Sequence, residues 1–269
     1  MNRRPPPASS RPRRAGTGPA SSGVGPRHGL ARILSKLGVC SRTQAALWIA
    51  EGRVRVDGRI VRDPEFPLQQ SPTLAQRLRV DELPLQGPPR LYLMLNKPRG
   101  LVTTARDERG RDTVYRCFDG AGLPWLAPVG RLDKASEGLL LFSNDPQWAA
   151  AVTDPDRGPD KTYHVQVDRL PDAAQIQAML EGVRDDGEPL SAQRIAVLRE
   201  GERHAWLEVV LEEGRNRQIR RLLATQDIAV LRLVRVAIGG LALGELAKGA
   251  WRPLSEDERR TLLPEDAGR

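Results

Sequence analysis

A charged loop that runs directly into an unbroken apolar stretch constrains this chain more than any other feature. Residues 129–144 read Val-Gly-Arg-Leu-Asp-Lys-Ala-Ser-Glu-Gly-Leu-Leu-Leu-Phe-Ser-Asn. Leu139 to Phe142 predicts a strand, and the loop that feeds it has Gly130 and Gly138 for freedom of backbone. That loop places Asp133 between two cations, Arg131 and Lys134. Opposite charge nearby favours the ionised carboxylate, which suits a nucleophile or base and not a proton donor. An Asp in a loop also serves as a turn or cap former, so spacing alone leaves both roles open. Glu137 is a rival carboxylate, but a glycosidase pair needs one pKa raised and the other lowered. Nothing in the sequence around Glu137 is apolar enough to raise it, so that pair is not expected.

The chain has 269 residues, room for one large domain or two smaller ones. Its net charge of +8 and pI of about 10.1 point to a polyanionic partner. Five of those charges are Arg3, Arg4, Arg11, Arg13 and Arg14, in a segment (1–26) with no acid. That segment is dense in Pro, Gly and Ser and reads as a disordered basic tail, either an electrostatic tether to RNA or a solvated end. Cys40 and Cys117 have no paired spacing, and His28, His164 and His204 are scattered, so neither disulfide framework nor metal site is indicated. No apolar run approaches the roughly 20 residues of a membrane span, and the tail lacks the apolar core of a secretory signal. The expected location is the cytoplasm.

Order is expected from about Leu30. Leu30, Ile33, Leu34 and Leu37 have helical spacing, with Gly38 as a stop. Ser41 fits an N-cap for a second helix, 42–51, ended by Gly52. Residues 53–56 alternate, Asp57-Gly58 signals a hairpin, and 59–61 return. Arg42, Arg53, Arg55 and Arg59 are available to line one exposed side of this unit. Residues 86–90 form a linker, and residues 62–90 and 184–205 are less patterned. Further strands are expected at 91–95, 138–143, 162–167, 205–211 and 230–236, and helices at 172–182, 217–225 and 256–263. Strands and helices interleave without a regular βαβ beat, which predicts an α+β domain around a mixed, largely antiparallel sheet.

Two further stretches carry chemistry. Residues 161–167 alternate with period two, so Tyr163, Val165 and Val167 share one face. A Tyr there is a core residue, or a flat platform for a base removed from its stack; periodicity favours core. Residues 213–221, Glu-Gly-Arg-Asn-Arg-Gln-Ile-Arg-Arg, hold Arg215, Arg217, Arg220 and Arg221. Read as a helix opening after Gly214, they make one side cationic, a cradle for phosphate or carboxylate. With only Glu212 and Glu213 near in sequence, the arginines repel one another, which favours a bound anion.

The run from Leu-Ser-Lys-Leu-Gly-Val-Cys-Ser-Arg to Asp-Gly-Arg-Ile-Val resembles the S4 RNA-binding fold over residues 27–86. Leu-Asn-Lys-Pro-Arg-Gly (95–100), Val-Gly-Arg-Leu-Asp (129–133), Lys-Thr-Tyr-His-Val (161–165), residues 213–221 and Gly-Ala-Trp-Arg-Pro-Leu (249–254) follow in order. Together they resemble the RsuA-like family, bacterial pseudouridine synthases that modify the RNA of the small or the large ribosomal subunit. The resemblance implies an S4-like domain at 27–86 and a synthase catalytic domain at 90–269. It implies isomerisation of uridine to pseudouridine with no cofactor and no metal. By the same resemblance Asp133 is the catalytic carboxylate, Tyr163 lies against the target base and Arg220 pairs with Asp133. Lys97 and Arg131 join the arginines above as RNA contacts. The expected partner is ribosomal RNA or a ribosomal assembly intermediate, acted on by a monomer. The Arg-Asn-Arg-Gln spelling leans toward 23S over 16S. A non-catalytic ribosome-binding protein and a synthase acting on transfer RNA are the competing readings.

Overall fold

The computed structural model describes residues 27–263 apart from Gln70, Pro72, Gln86, Gly87 and Arg106; the tail expected at 1–26 lies outside the described residues. The first unit has strand β1 (Arg27–Gly29) and helices α1 (Leu30–Lys36) and α2 (Arg42–Ala50), followed by strands β2 (Val54–Val56), β3 (Arg59–Ile60), β4 (Pro67–Gln69), β5 (Leu78–Val80) and β6 (Leu83–Pro84). Its local signals act as their chemistry dictates. Leu30, Ile33 and Leu34 are buried, Gly38 takes the left-handed conformation after α1, and the Ser41 hydroxyl accepts from the Gln44 amide to cap α2. Asp57 and Gly58 both have positive φ, the geometry of a two-residue hairpin turn. The stretch 62–90, weakly patterned in sequence, supplies β4 to pair with β1, and β5 and β6 to extend β2 and β3 into a four-stranded sheet.

The rest of the chain builds one larger sheet. Its elements are β7 (Tyr92–Lys97), β8 (Ala127–Val129), β9 (Glu137–Ser143), α3 (Pro146–Val152), β10 (Lys161–Val167), α4 (Ala173–Glu181), β11 (Val183–Asp185), β12 (Glu188–Leu190), β13 (Arg194–Glu200), β14 (Ala205–Leu211), α5 (Gln218–Ala224), β15 (Val230–Ile238), β16 (Leu241–Ala242), β17 (Trp251–Pro253) and α6 (Glu256–Arg260). Nine strands form this sheet among the described residues, in the order β13-β14-β10-β15-β9-β7-β17, with β8 on β9 and β16 on β15. Its pairs are antiparallel except β15 with β9, so the expected mixed, largely antiparallel α+β architecture is present. Residues 184–205 had read as unpatterned because β11 and β12 are three residues long and β13 is an exposed edge strand, with Ile195 alone buried.

The unbroken apolar run is explained by burial on both faces of the sheet. Leu140 and Phe142 of β9 pack into one core with Leu95, Val165, Leu207 and Leu222. Leu139 and Leu141 pack into a second core with Met94, Trp148 and Ile238. The loop ahead of β9 therefore ends against a strand buried on both faces.

Gly138 fixes where that loop enters. Its φ is +100°, and a Cβ there would collide with the Arg235 carbonyl oxygen and lie 2.9 Å from the Arg235 amide nitrogen across the β9–β15 pairing. Gly58 also has positive φ but faces open space. Gly138→Ala is therefore expected to destabilise by several-fold more than Gly58→Ala, whose conformational strain is about 1 kcal/mol. Urea denaturation of the two variants checks this.

Candidate active site

The segment between β8 and β9 carries Asp133 and has no ladder of its own, so its shape comes from neighbours. Lys97, at the end of β7, is fully buried. Its ammonium donates to the backbone carbonyls of Pro98 (3.1 Å), Asp133 (3.2 Å) and Ser136 (2.9 Å). Burial pulls its pKa down to about 8. The Thr103 hydroxyl donates to the Leu132 carbonyl at 2.6 Å and accepts from the Leu132 amide at 3.3 Å. The Gly100 amide donates to the Lys134 carbonyl at 2.8 Å. At the far end, buried Glu137 accepts from Arg232 at 2.9 and 3.1 Å and pairs with Lys248 at 2.6 Å. Those two cations overcome its burial and leave its carboxyl below the usual range. Glu137 is thus an anchor held ionised, in keeping with its rejection as a glycosidase acid.

The stitched loop forms one wall of a cleft of about 780 Å³. Asp133 faces it with its side chain 38% exposed, and Tyr163, 8% exposed, borders it from β10. Core and platform are therefore compatible for Tyr163, which packs into the main core and still reaches the cleft. Exposed Arg131 and Lys134 stand at the rim. Lys161, Arg215, Arg217, Arg220 and Arg235 add positive charge, against Asp133, Asp156 and Glu213.

The arginine segment differs from its helical reading. Helix α5 starts at Gln218, and Arg217 precedes it in the left-handed conformation with φ +50°. This turn aims Arg217 at Asp133, 3.8 Å away. Arg220 makes no ion pair within 4 Å among the described residues; it donates to the carbonyls of Val230 (3.0 Å) and Ala135 (3.4 Å), holding the Asp133 loop through its backbone. Arg215 is bound by Glu213 and Glu188, and Arg221 by Asp185 and Glu188. The expected repulsion that favoured an anion at these two arginines is therefore corrected, because the β11–β12 hairpin brings two carboxylates from about 30 residues upstream. Lys97, expected to touch RNA, is corrected to an internal clamp, since a fully buried ammonium has no surface to offer.

In the first unit Arg42 pairs with Glu65, Arg53 with Asp81 and Glu51, and Arg55 with Glu82. Arg59 is exposed with no ion pair among the described residues. Exposed pairs are worth about 0–1 kcal/mol, so phosphates can displace them. Sequence reasoning missed Arg235 altogether. It lies beside Tyr163 in the β10–β15 register, is 5% exposed and borders the cleft. Among the described residues no group of three or more His, Cys, Asp or Glu is placed to hold a metal, and no helix is long and apolar enough to cross a membrane.

The site is a basic cleft with a carboxylate aimed by its own loop, and comparison with known proteins places its class. Residues 91–225 match the RNA pseudouridylate synthase family and residues 29–71 match the S4 domain. The chain belongs to the RNA pseudouridine synthases, isomerases that act on RNA, and carries an S4 domain ahead of the catalytic fold. It is 37% identical to the ribosomal small subunit pseudouridine synthase A of Pseudomonas aeruginosa, over 85% of this chain and 97% of that one. It is 36% identical to an RNA pseudouridine synthase of Mycobacterium leprae, over 88% and 92% of the two chains. A crystal structure of a pseudouridylate synthase superposes with a TM-score of 0.60 at 28% identity, covering 88% of this chain and all of that one.

Lys97→Met removes three donated hydrogen bonds at once and is expected to lose about 1–3 kcal/mol, lowering the melting temperature at about 2–4 °C per kcal/mol. Turnover should fall while RNA affinity stays. Folding lowers this pKa from 10.5 to about 8, so between those values the unfolded chain holds a proton that the folded one has released. The Lys97 contribution to stability therefore rises with pH from 8 to 10.5. Urea midpoints across that window should show the slope in wild type and its loss in Lys97→Met.

Proposed function

We propose that this enzyme converts a specific uridine of ribosomal RNA to pseudouridine, with Asp133 as the catalytic carboxylate. The observation that carries this reading is Asp133 itself, held by its own backbone in a basic cleft, 3.8 Å from one arginine and on the same cleft as Tyr163. The target uridine turns out of its stack into the cleft at a cost of about a few kcal/mol, offset by stacking and backbone contacts. Tyr163 holds the uracil ring while it rotates. Asp133 either attacks the sugar carbon or takes a sugar proton to give a glycal. Arg217 keeps the carboxylate aimed, and Arg220 supports it through the Ala135 carbonyl. Reactant and product are isomers, so atoms and electrons balance without a cofactor.

Arg131, Arg217 and the S4 arginines Arg42, Arg53, Arg55 and Arg59 bind phosphates, which positions the RNA without reading its sequence. Arg215 and Arg221 shape the cleft wall through their carboxylates. The substrate is ribosomal RNA, free or in an assembly intermediate, acted on in the cytoplasm by a monomer. The Arg-Asn-Arg-Gln spelling of 215–218 favours 23S; the Pseudomonas relative is named for the small ribosomal particle, which supports 16S as the second reading.

Deleting the gene and mapping pseudouridine across both ribosomal RNAs tests this. One site should disappear, return with wild type and stay absent with Asp133→Asn. Full restoration by Asp133→Asn would remove Asp133 from the chemistry. An unchanged ribosomal RNA map with a lost transfer RNA site would move the substrate class.

A further inference from the structure

Arg235 borders the cleft and has no part in the roles above. It is only 5% exposed, and it has no carboxylate within 4 Å among the described residues. Its Nε donates to the Leu139 carbonyl at 2.7 Å, while Nη2 is shielded from solvent and has no hydrogen-bond partner. A charge of its own sign acts with it: Lys161 borders the same cleft and has its pKa lowered by burial and then by Arg235. A buried charge with neither counter-ion nor full hydrogen bonding is strongly unfavourable, and such an orphan is a feature that a ligand satisfies. Arg235 and Tyr163 are cross-strand neighbours on the cleft.

We propose that Arg235 is a further catalytic residue, whose guanidinium donates to a carbonyl oxygen of the displaced uracil and holds the negative charge that the ring acquires. The N1–C1′ bond breaks with its electron pair moving into the ring. C1′ is taken up by a carboxylate oxygen of Asp133, or the 2′ proton passes to that carboxylate. By either route the uracil leaves as an anion whose charge spreads over N1, O2 and O4. The ring turns, C5 bonds to C1′, the Asp133 carboxylate is freed or returns its proton to C2′, and the C5 proton passes to solvent while N1 takes one up, which leaves neutral pseudouridine. A fixed cation beside Tyr163, shielded from water, stabilises that anion without reorganising. The assignment rests on Asp133 as catalytic carboxylate and Tyr163 as platform.

The test is single-turnover kinetics of wild type, Arg235→Gln and Arg235→Lys on target RNA carrying uridine, 2-thiouridine or 4-thiouridine at the modified position. Sulfur is a poor acceptor. Arg235→Gln should slow the step by about 10²–10³-fold with little change in KM and an unchanged melting temperature. One thio substitution should slow wild type and add little to Arg235→Gln, the non-additivity of two changes to one contact. Independent, multiplying effects for both thio RNAs, or wild-type turnover in Arg235→Gln, would overturn the assignment. Non-additivity with a methylphosphonate flanking the target, in place of a thio group, would also overturn it and give Arg235 to the RNA backbone. If neither variant folds, wild type decides alone: equal rates on all three RNAs exclude the contact. Asp133→Asn in the same assay separates the two readings, because activity there sinks the role of Asp133 whatever Arg235 does.

Discussion

The buried ammonium of Lys97 is the interaction on which the cleft depends. A lysine inside a protein is tolerable only where its N–H groups meet acceptors, and here the acceptors are carbonyls of residues 98, 133 and 136. The converse also holds. Those carbonyls converge because the chain must wrap the ammonium, and the wrapping gives the Asp133 loop a shape that it has no ladder to impose. β7 supplies the lysine from inside the sheet, between β9 and β17, so the loop is referred to a strand paired on both sides. Thr103 holds the residue before Asp133, and Glu137, clamped by Arg232 and Lys248, holds the end of the loop.

Charge is distributed for two different purposes. In the S4 unit Arg42, Arg53 and Arg55 are paired with surface carboxylates, and such pairs are weak and salt-sensitive. Inside the cleft the cations have assigned partners of another kind. Arg217 faces the carboxylate, Arg220 ties the Ala135 carbonyl of the loop to the Val230 carbonyl of β15, and Arg215 and Arg221 are tied to the β11–β12 hairpin. Arg235 holds the Leu139 carbonyl through Nε and keeps Nη2 without a partner. The field that RNA meets in the cleft is thus built from a few fixed cations, although much of the chain's net charge lies in residues 1–26.

Much of the fold was legible because it follows periodicity. The run 139–142, the alternation of 161–167 and the helices near 30–36, 42–50, 173–181 and 218–224 all stand where burial demands. The two-residue turn at Asp57-Gly58 was legible for the same reason, since few sequences tolerate two positive φ angles. Short strands such as β5, β6, β11 and β12 were not, because three residues hold too little pattern. At the site, the loop and Asp133 were legible from local charge and glycines, and the S4 and synthase resemblance gave the family. Lys97 was misplaced on the surface because a lysine next to a Pro-Arg-Gly turn reads as exposed. Arg217 read only as an RNA contact, because helical spacing does not show the left-handed turn that brings it within 3.8 Å of Asp133. The carboxylates of Asp185 and Glu188 reach their arginines across the fold, which no local window shows.

Release of tritium from C5 tests the central claim most directly, because forming the C5–C1′ bond expels the hydrogen at C5. Unmodified ribosomal RNA labelled at C5 of uridine is incubated with the purified enzyme, and tritium in water is counted. The account predicts release that stops near one equivalent per molecule of one ribosomal RNA. Background release from both ribosomal RNAs, as naked transcripts and as assembling particles, would contradict it.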